Sequence, residues 1–169
     1  QPGRRKRLVP GRKAASGDVG HEKDAFLHYH DLGPKAKSLQ KYISEGITGK
    51  RESGLLNDFE IQPEIDKNGK IDQVLKANRF MLVQIAKEPI STKGPRLTCE
   101  ISIAGRFIVL VPFSDRISVS QKIKSREERE RLRRLISSIR PKNFGVIVRT
   151  VAENKKVAEL DADMRNLTE

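Results

Sequence analysis

The stretch Leu82–Pro112 reads LVQIAKEPISTKGPRLTCEISIAGRFIVLVP, and its pattern decides the fold class. With Phe80 and Met81 before it, the run Phe80–Ala86 predicts a buried strand. Residues 88–96 (EPISTKGPR) place Pro and Gly where a turn needs them. Leu97–Ile103 alternates as a strand does, Ala104-Gly105 turns, and Arg106–Val111 predicts another strand, stopped by Pro112. Three successive strands with short connections predict an antiparallel meander or a small barrel.

Downstream, Ser125–Ile139 predicts the most regular helix. Ser125 and Glu128 stand in capping-box spacing. Leu132, Leu135, Ile136 and Ile139 share one face, and Arg126, Arg129, Arg133 and Arg140 the other. Phe144–Arg149 predicts a strand. Lys155–Leu167 predicts a last helix with Val157, Leu160, Met164 and Leu167 on one side, running into the chain end without a Gly or Asn stop. Upstream, Gly20–Tyr29 predicts a turn and a short strand centred on Ala25-Phe26-Leu27. Lys35–Ser44 predicts a helix opened by Pro34. Residues 45–70 read as a long loop with a weak helix near Leu55–Phe59. Residues 1–19 are rich in Arg, Lys, Gly and Pro and predict little regular structure.

Composition narrows the function classes. The 169 residues carry 34 Lys and Arg against 22 Asp and Glu, net +12. Two blocks hold the whole excess: residues 1–13 carry six basic and no acidic side chains, and residues 116–140 carry nine basic and three acidic. A polyanion would feel both blocks; the plainer alternative is a solvated face or tail. No run approaches the ~18 apolar residues of a membrane span. With one cysteine, Cys99, neither an intramolecular disulfide nor a multi-cysteine zinc site can form within the chain, and a cytoplasmic setting is expected.

The residues spell out no hydrolytic site. Asp161 and Asp163 are two apart on a helix, so they diverge around its axis, and a solvated helix face accounts for them. His28 and His30 flank Tyr29; in an extended segment their imidazoles would point one way, but a metal needs more ligands, and surface histidines are the simpler reading. Cys99 reads as a buried small apolar group. No glycine-rich phosphate loop occurs. Binding chemistry is better represented. Phe26 in a strand, near Tyr29, is placed either to stack a base or to fill the core, and spacing alone favours the core. Arg149-Thr150 at a strand end can grip a phosphate through guanidinium and hydroxyl, although such a pair is also ordinary at a strand end.

Four separated runs resemble the ribonuclease E/G family in order and spacing. They are Gly20–Leu32 (GHEKDAFLHYHDL), Leu82–Pro112, Ser118–Ile123 (SVSQKI) with the charged helix after it, and Asn143–Thr150 (NFGVIVRT). The resemblance covers roughly residues 6–169. It implies an α+β chain: a small antiparallel OB-type β-barrel at 20–104 with a helical insertion at about 34–76, then a partial α/β five-prime-sensor subdomain at 105–169, truncated at its C-terminal end. By motif position it implies that Phe26 and Lys93 contact RNA, that Gly105 and Val109 line a sensor pocket, and that Arg149 and Thr150 bind a five-prime monophosphate. The charged helix adds Arg126, Arg129 and Arg133 as contacts to the RNA backbone.

The implied partner is single-stranded, five-prime-monophosphorylated RNA, and the full-length parent is expected to be a homo-oligomer. The family's activity is magnesium-dependent endoribonucleolysis with a structural zinc. Its catalytic carboxylates and cysteine pair are expected beyond this chain, so the fragment itself is expected to carry no cofactor and to be inactive alone. There are departures: Gln121 stands where relatives carry a basic residue, and Ser16-Gly17 where they carry apolar strand residues. Two other readings stay open: a general single-stranded nucleic-acid-binding OB module without end preference, and a basic scaffold protein. A self-contained enzyme is the weakest.

Overall fold

The structure is a computed structural model. It describes residues 2–8, 14–18, 25–51, 54–76, 80–90 and 92–169, and of 2–8, 14–18 and Phe80 the backbone alone. Two compact units divide the chain, Gln1–Arg51 with Glu60–Ile101, and Glu52–Phe59 with Ser102–Glu169. Helices and two sheets together make the chain α+β.

The first unit is built on a six-stranded sheet. Its strands are β1 (Pro2–Leu8), β2 (Ala14–Asp18), β3 (Ala25–His28), β4 (Phe80–Leu82), β5 (Gln84–Lys87) and β6 (Arg96–Thr98), in the order β4-β1-β2-β3-β6-β5. β1, β2 and β3 pair antiparallel, while β3 and β6 run parallel, with Phe26 opposite Arg96. The two edge strands, β4 and β5, are consecutive in the chain and separated only by Val83. A sheet whose opposite edges are one residue apart has to curl back toward itself. The expected single strand Phe80–Ala86 is therefore two strands with a bend at Val83, which is buried, at 2% exposure. Residues 1–19, for which composition predicts little regular structure, hold β1 and β2. The expected turn at residues 20–24 lies outside the described residues.

Burial in β3 alternates strictly: Ala25 and Leu27 are inside, Phe26 and His28 outside. Period-two geometry puts successive side chains on opposite faces, so Phe26 is not core, as spacing alone would favour. A 3-10 turn, Tyr29–Leu32, follows. Helix α1 (Ala36–Ile47) buries Ala36 and Leu39 and is stopped by Thr48 and by Gly49 at φ 69°. The weak helix expected near Leu55–Phe59 does not form; a four-residue helix, α2 (Ile71–Val74), does.

The expected strand Leu97–Ile103 also divides. Its first part is β6. Thr98 Oγ1 then accepts from Glu100 N at 3.1 Å, and Cys99 N donates to Asp31 O at 2.8 Å, which bends the chain out of the ladder. Its last residue, Ile103, joins Ala104, expected in a turn, as β7 (Ile103–Ala104) of the other sheet. The expected continuous meander is thus split between the units.

The second unit carries the sheet β7-β8-β10-β9, with β8 (Ile108–Pro112), β9 (Ile117–Val119) and β10 (Phe144–Val148). β10 is central, antiparallel to β8 and parallel to β9, and all but Ile147 of its residues are buried. Helix α3 (Arg126–Ile139) packs by β9, and α4 (Val157–Thr168) by β8. Leu132 and Ile136 of α3 and Leu160 and Met164 of α4 are buried. Each such side chain contributes about 1.5–3 kcal/mol relative to exposure. Ser125 caps α3, its hydroxyl accepting from Glu128 N at 3.3 Å. The other half of the expected capping box is absent, because Glu128 turns to Arg131 and to the N–H of Asn154. No helix of the described residues is long and apolar enough to cross a membrane.

Candidate functional site

Two places gather the residues that sequence reasoning singled out. The first is a groove of about 620 Å³ in the first unit, lined by Phe26, His28, Lys87, Ile90, Lys93 and Arg96, with Glu88 and Gly94 between them. The alternation of β3 delivers Phe26 there, 43% exposed, its ring edge-on to His28 at 4.7 Å. Lys93 is carried by a tight turn in which the backbones of Ile90 and Lys93 exchange hydrogen bonds of 3.1 and 2.9 Å. Ile90 is 65% exposed. The groove so combines an accessible ring, an aliphatic wall and cations, the elements that stack an unpaired base and hold its backbone.

Arg96 contributes less charge than its position suggests. Its guanidinium is bidentate to Asp31, Nη2–Oδ1 3.0 Å and Nε–Oδ2 3.1 Å, and the same carboxylate raises its already high pKa. His30 belongs to the 3-10 turn rather than to β3, so it does not share an extended strand with His28. Cys99 is buried, and burial first, then the charge of Asp31, pushes its thiol up to about 12. Among the described residues no three His, Cys, Asp or Glu gather closely enough to hold a metal ion.

The second place is the C-terminal end of β10. Central position in a sheet brings neighbouring loops to that end, and three chain segments meet there. Arg149 N donates to Phe107 O at 2.9 Å, and Ser120 N to Val148 O at 2.9 Å. The Arg149 guanidinium donates through Nη1 to Gly105 O at 3.0 Å and to Arg106 O at 3.2 Å. These bonds leave its Nε and Nη2 donors for another acceptor. Thr150 opens a short 3-10 turn, and its hydroxyl lies 2.7 Å from that of Ser120. The structure therefore brings Gly105, Arg149 and Thr150 together. Val109, half-buried on β8, stands opposite Ile147, two residues before Arg149. Gln121 is exposed next to Ser120.

The Gly105 turn is held from α4. Asp163 accepts from Arg106 N (3.0 Å), Phe107 N (2.8 Å) and Ile108 N (3.1 Å). A Cβ at Gly105 would come within 2.6 Å of Asp163 Oδ2 and 2.8 Å of Leu167 Cδ1, so a larger residue there would push the Asp163 carboxylate and Leu167 aside. Asp163 is accordingly a clamp and not the solvated helix residue the spacing predicts. Asp161 does face outward, paired with Arg165 at 3.0 Å.

Along α3 the arginines divide. Arg126, 92% exposed, pairs with Glu130, and Arg133 is exposed. Arg129 instead donates to the carbonyls of Ser120 (2.6 Å), Ile123 (3.3 Å) and Val119 (3.2 Å). Its guanidinium holds the loop that carries Ser120. Arg131 pairs with the buried Glu128 and donates to Lys155 O at 2.9 Å. That ion pair first, and the Asn154 N–H as well, hold the Glu128 carboxyl below its ordinary value against the opposing effect of burial.

Residues 102–169 match the Ribonuclease E/G family. Ribonuclease G of Escherichia coli strain K12 is 34% identical over 161 residues, 95% of this chain and 29% of that protein. Ribonuclease E of a Nostoc species is 35% identical over 161 residues, 95% of this chain and 20% of its own length. Ribonuclease E of a Synechocystis species is 34% identical over the same span, again 20% of its length. This chain belongs to the ribonuclease E/G family. It spans less than a third of the ribonuclease G and E relatives it matches. The family match takes in the whole of the Gly105–Arg149–Thr150 cluster and its Asp163 clamp. The 161 aligned residues are 95% of this chain and take in the groove at Phe26 as well.

Proposed function

We propose that this chain is the RNA-capturing, five-prime-end-reading part of a ribonuclease E/G-type endoribonuclease that acts in RNA processing and decay in the cytoplasm. One observation carries the reading: the Arg149 guanidinium is fixed by two carbonyls of the Gly105 turn, beside the Ser120–Thr150 hydroxyl pair. A guanidinium oriented this way meets a terminal phosphate oxygen with no loss of rotamer freedom left to suffer, and a hydroxyl adds a neutral donor. A five-prime monophosphate carries more charge than a hydroxyl end and is smaller than a triphosphate, so the cup prefers it.

The first unit takes the single strand in this reading. Phe26 stacks a base and Lys93 meets the backbone, while Arg126 and Arg133 of α3 draw RNA in by charge. Family membership and the curling of the six-stranded sheet at Val83 support an OB-type barrel over residues 20–104, with the sensor at 105–169. Hydrolysis, with its magnesium and zinc, belongs in this reading to parts of the relatives outside the matched stretch, and no step at these residues runs through a metal.

The test is fluorescence-anisotropy binding of a short single-stranded RNA bearing a five-prime monophosphate or a hydroxyl. A monophosphate preference that disappears in Arg149→Ala supports the end reader. Equal affinity for both ends, with a steep salt slope, is the outcome of the rival reading, a general single-strand binder.

A further inference from the structure

Phe107, next to the Gly105 turn, is 7% exposed, and cations cover its ring. The Arg106 guanidinium carbon lies 5.3 Å from the ring centroid and the Lys155 ammonium nitrogen 5.8 Å. Arg149 is tied to the same residue through its backbone and to the turn through its guanidinium. Two cations thus lie over one ring, and the guanidinium of a third, Arg149, is held on the turn beside it. Among the described residues none of them forms an ion pair. Other cations of this unit are neutralised: Arg126 by Glu130, Arg131 by Glu128, Arg165 by Asp161. The carboxylate at the turn, Asp163, directs its oxygens to the N–H groups of residues 106–108.

Covering an apolar ring does not call for charge, since an aliphatic side chain does it without repulsion. Cation–π attraction holds Arg106 and Lys155 at the ring, but no carboxylate among the described residues offsets their charge. An anion beside them does so and gains charge-assisted hydrogen bonds. The ring itself is too covered to stack a base.

We propose that Arg106 and Lys155 form a second anion subsite beside the Arg149–Thr150 cup, and that it takes an internucleotide phosphate of single-stranded RNA. The proposal rests on the reading of that cup as the seat of the terminal phosphate. It divides the work by chemistry. The planar fork of Arg149 faces the terminal group, and two separate, more adjustable cations hold the monoanionic diester. The end reader so recognises a phosphorylated dinucleotide rather than a lone phosphate.

The experiment uses the full 169-residue chain and calorimetric titration with three probes: a five-prime-monophosphorylated mononucleotide, a five-prime-monophosphorylated dinucleotide and the same dinucleotide with a five-prime hydroxyl. The phosphorylated dinucleotide is expected to bind about tenfold tighter than the mononucleotide. Arg106→Gln with Lys155→Gln removes that advantage and leaves the mononucleotide affinity near wild type. Arg106→Lys with Lys155→Arg retains it, which separates charge from ring covering. Should the double glutamine variant melt early by circular dichroism, Arg106→Gln alone, at an exposed position, is read and gives a smaller loss. Equal binding of mononucleotide and dinucleotide by the wild type, or an advantage surviving the glutamine variants, overturns the subsite. Failure of the terminal-phosphate reading looks different: both dinucleotides bind alike, yet both still depend on Arg106 and Lys155.

Discussion

Asp163 Oδ2 accepts a hydrogen bond from the backbone N–H of Phe107 at 2.8 Å. With the flanking bonds from Arg106 and Ile108, it fixes α4 to the turn whose carbonyls orient Arg149. Removing the acceptor strands part-buried N–H groups, at a cost of about 1–3 kcal/mol. Asp163→Ala is therefore expected to lower the urea midpoint clearly, and Asp163→Asn, which keeps one acceptor oxygen, to lower it less. Monophosphate preference should fall in the same order. An alanine variant with wild-type stability would show that the clamp is not needed.

Glu128 predicts an acid limb. Its carboxyl is held below the ordinary 4.5 by Arg131 first and by the Asn154 N–H. A carboxyl with a depressed folded-state pKa stabilises the fold above its unfolded value, and that contribution is lost as pH falls through the folded one. Stability should therefore decline as pH drops below about 4.5. Glu128→Gln should be less stable at pH 7 and flatter over the acid range, and thermal melts at stepped pH would read both. Parallel acid limbs in the two proteins would remove Glu128 from the account.

Arg129 and Arg133 should separate fold from binding. Arg129 is engaged by three carbonyls, so Arg129→Gln is expected to lower the melting temperature. Arg133 is exposed, and Arg133→Gln should leave melting within about 0.5 kcal/mol of wild type. If Arg133 meets one phosphate, its loss also lowers the slope of log affinity against log salt by about 0.7. An unchanged slope would place the RNA elsewhere than on α3.

Phe26 is accessible, so Phe26→Ala should change stability little. Stacking on an aromatic contributes roughly 1–3 kcal/mol per base. A loss of single-strand affinity of that size, with Phe26→Tyr near wild type, is the expected result. A large drop in melting temperature with intact RNA binding would assign the ring to packing instead.

Local patterns in the sequence determined a good part of this chain. The apolar spacing of Leu132 and Ile136 and the Ser125 cap made α3 readable, because a helix is specified by residues three and four apart. The strands Ile108–Pro112 and Phe144–Val148 were readable because short runs of apolar, β-branched residues mark a buried strand, and the four family-like runs were readable as sequence. Tertiary structure decided what depends on distant partners. The bend at Val83 and the division of Leu97–Ile103 between two sheets follow from pairing with strands far along the chain, and a continuous apolar run carries no mark of where its partners end. Phe26 faces outward because of the register of β3 against β2 and β6, which its own neighbours do not set. Arg129 and Arg133 are the same residue type on one helix, yet one holds a loop and the other is exposed. Asp163 reads as a surface residue until the β7–β8 turn, more than 50 residues earlier, is folded against it. Charge and periodicity are properties of the sequence; what each charged group meets is set by which remote backbone arrives beside it.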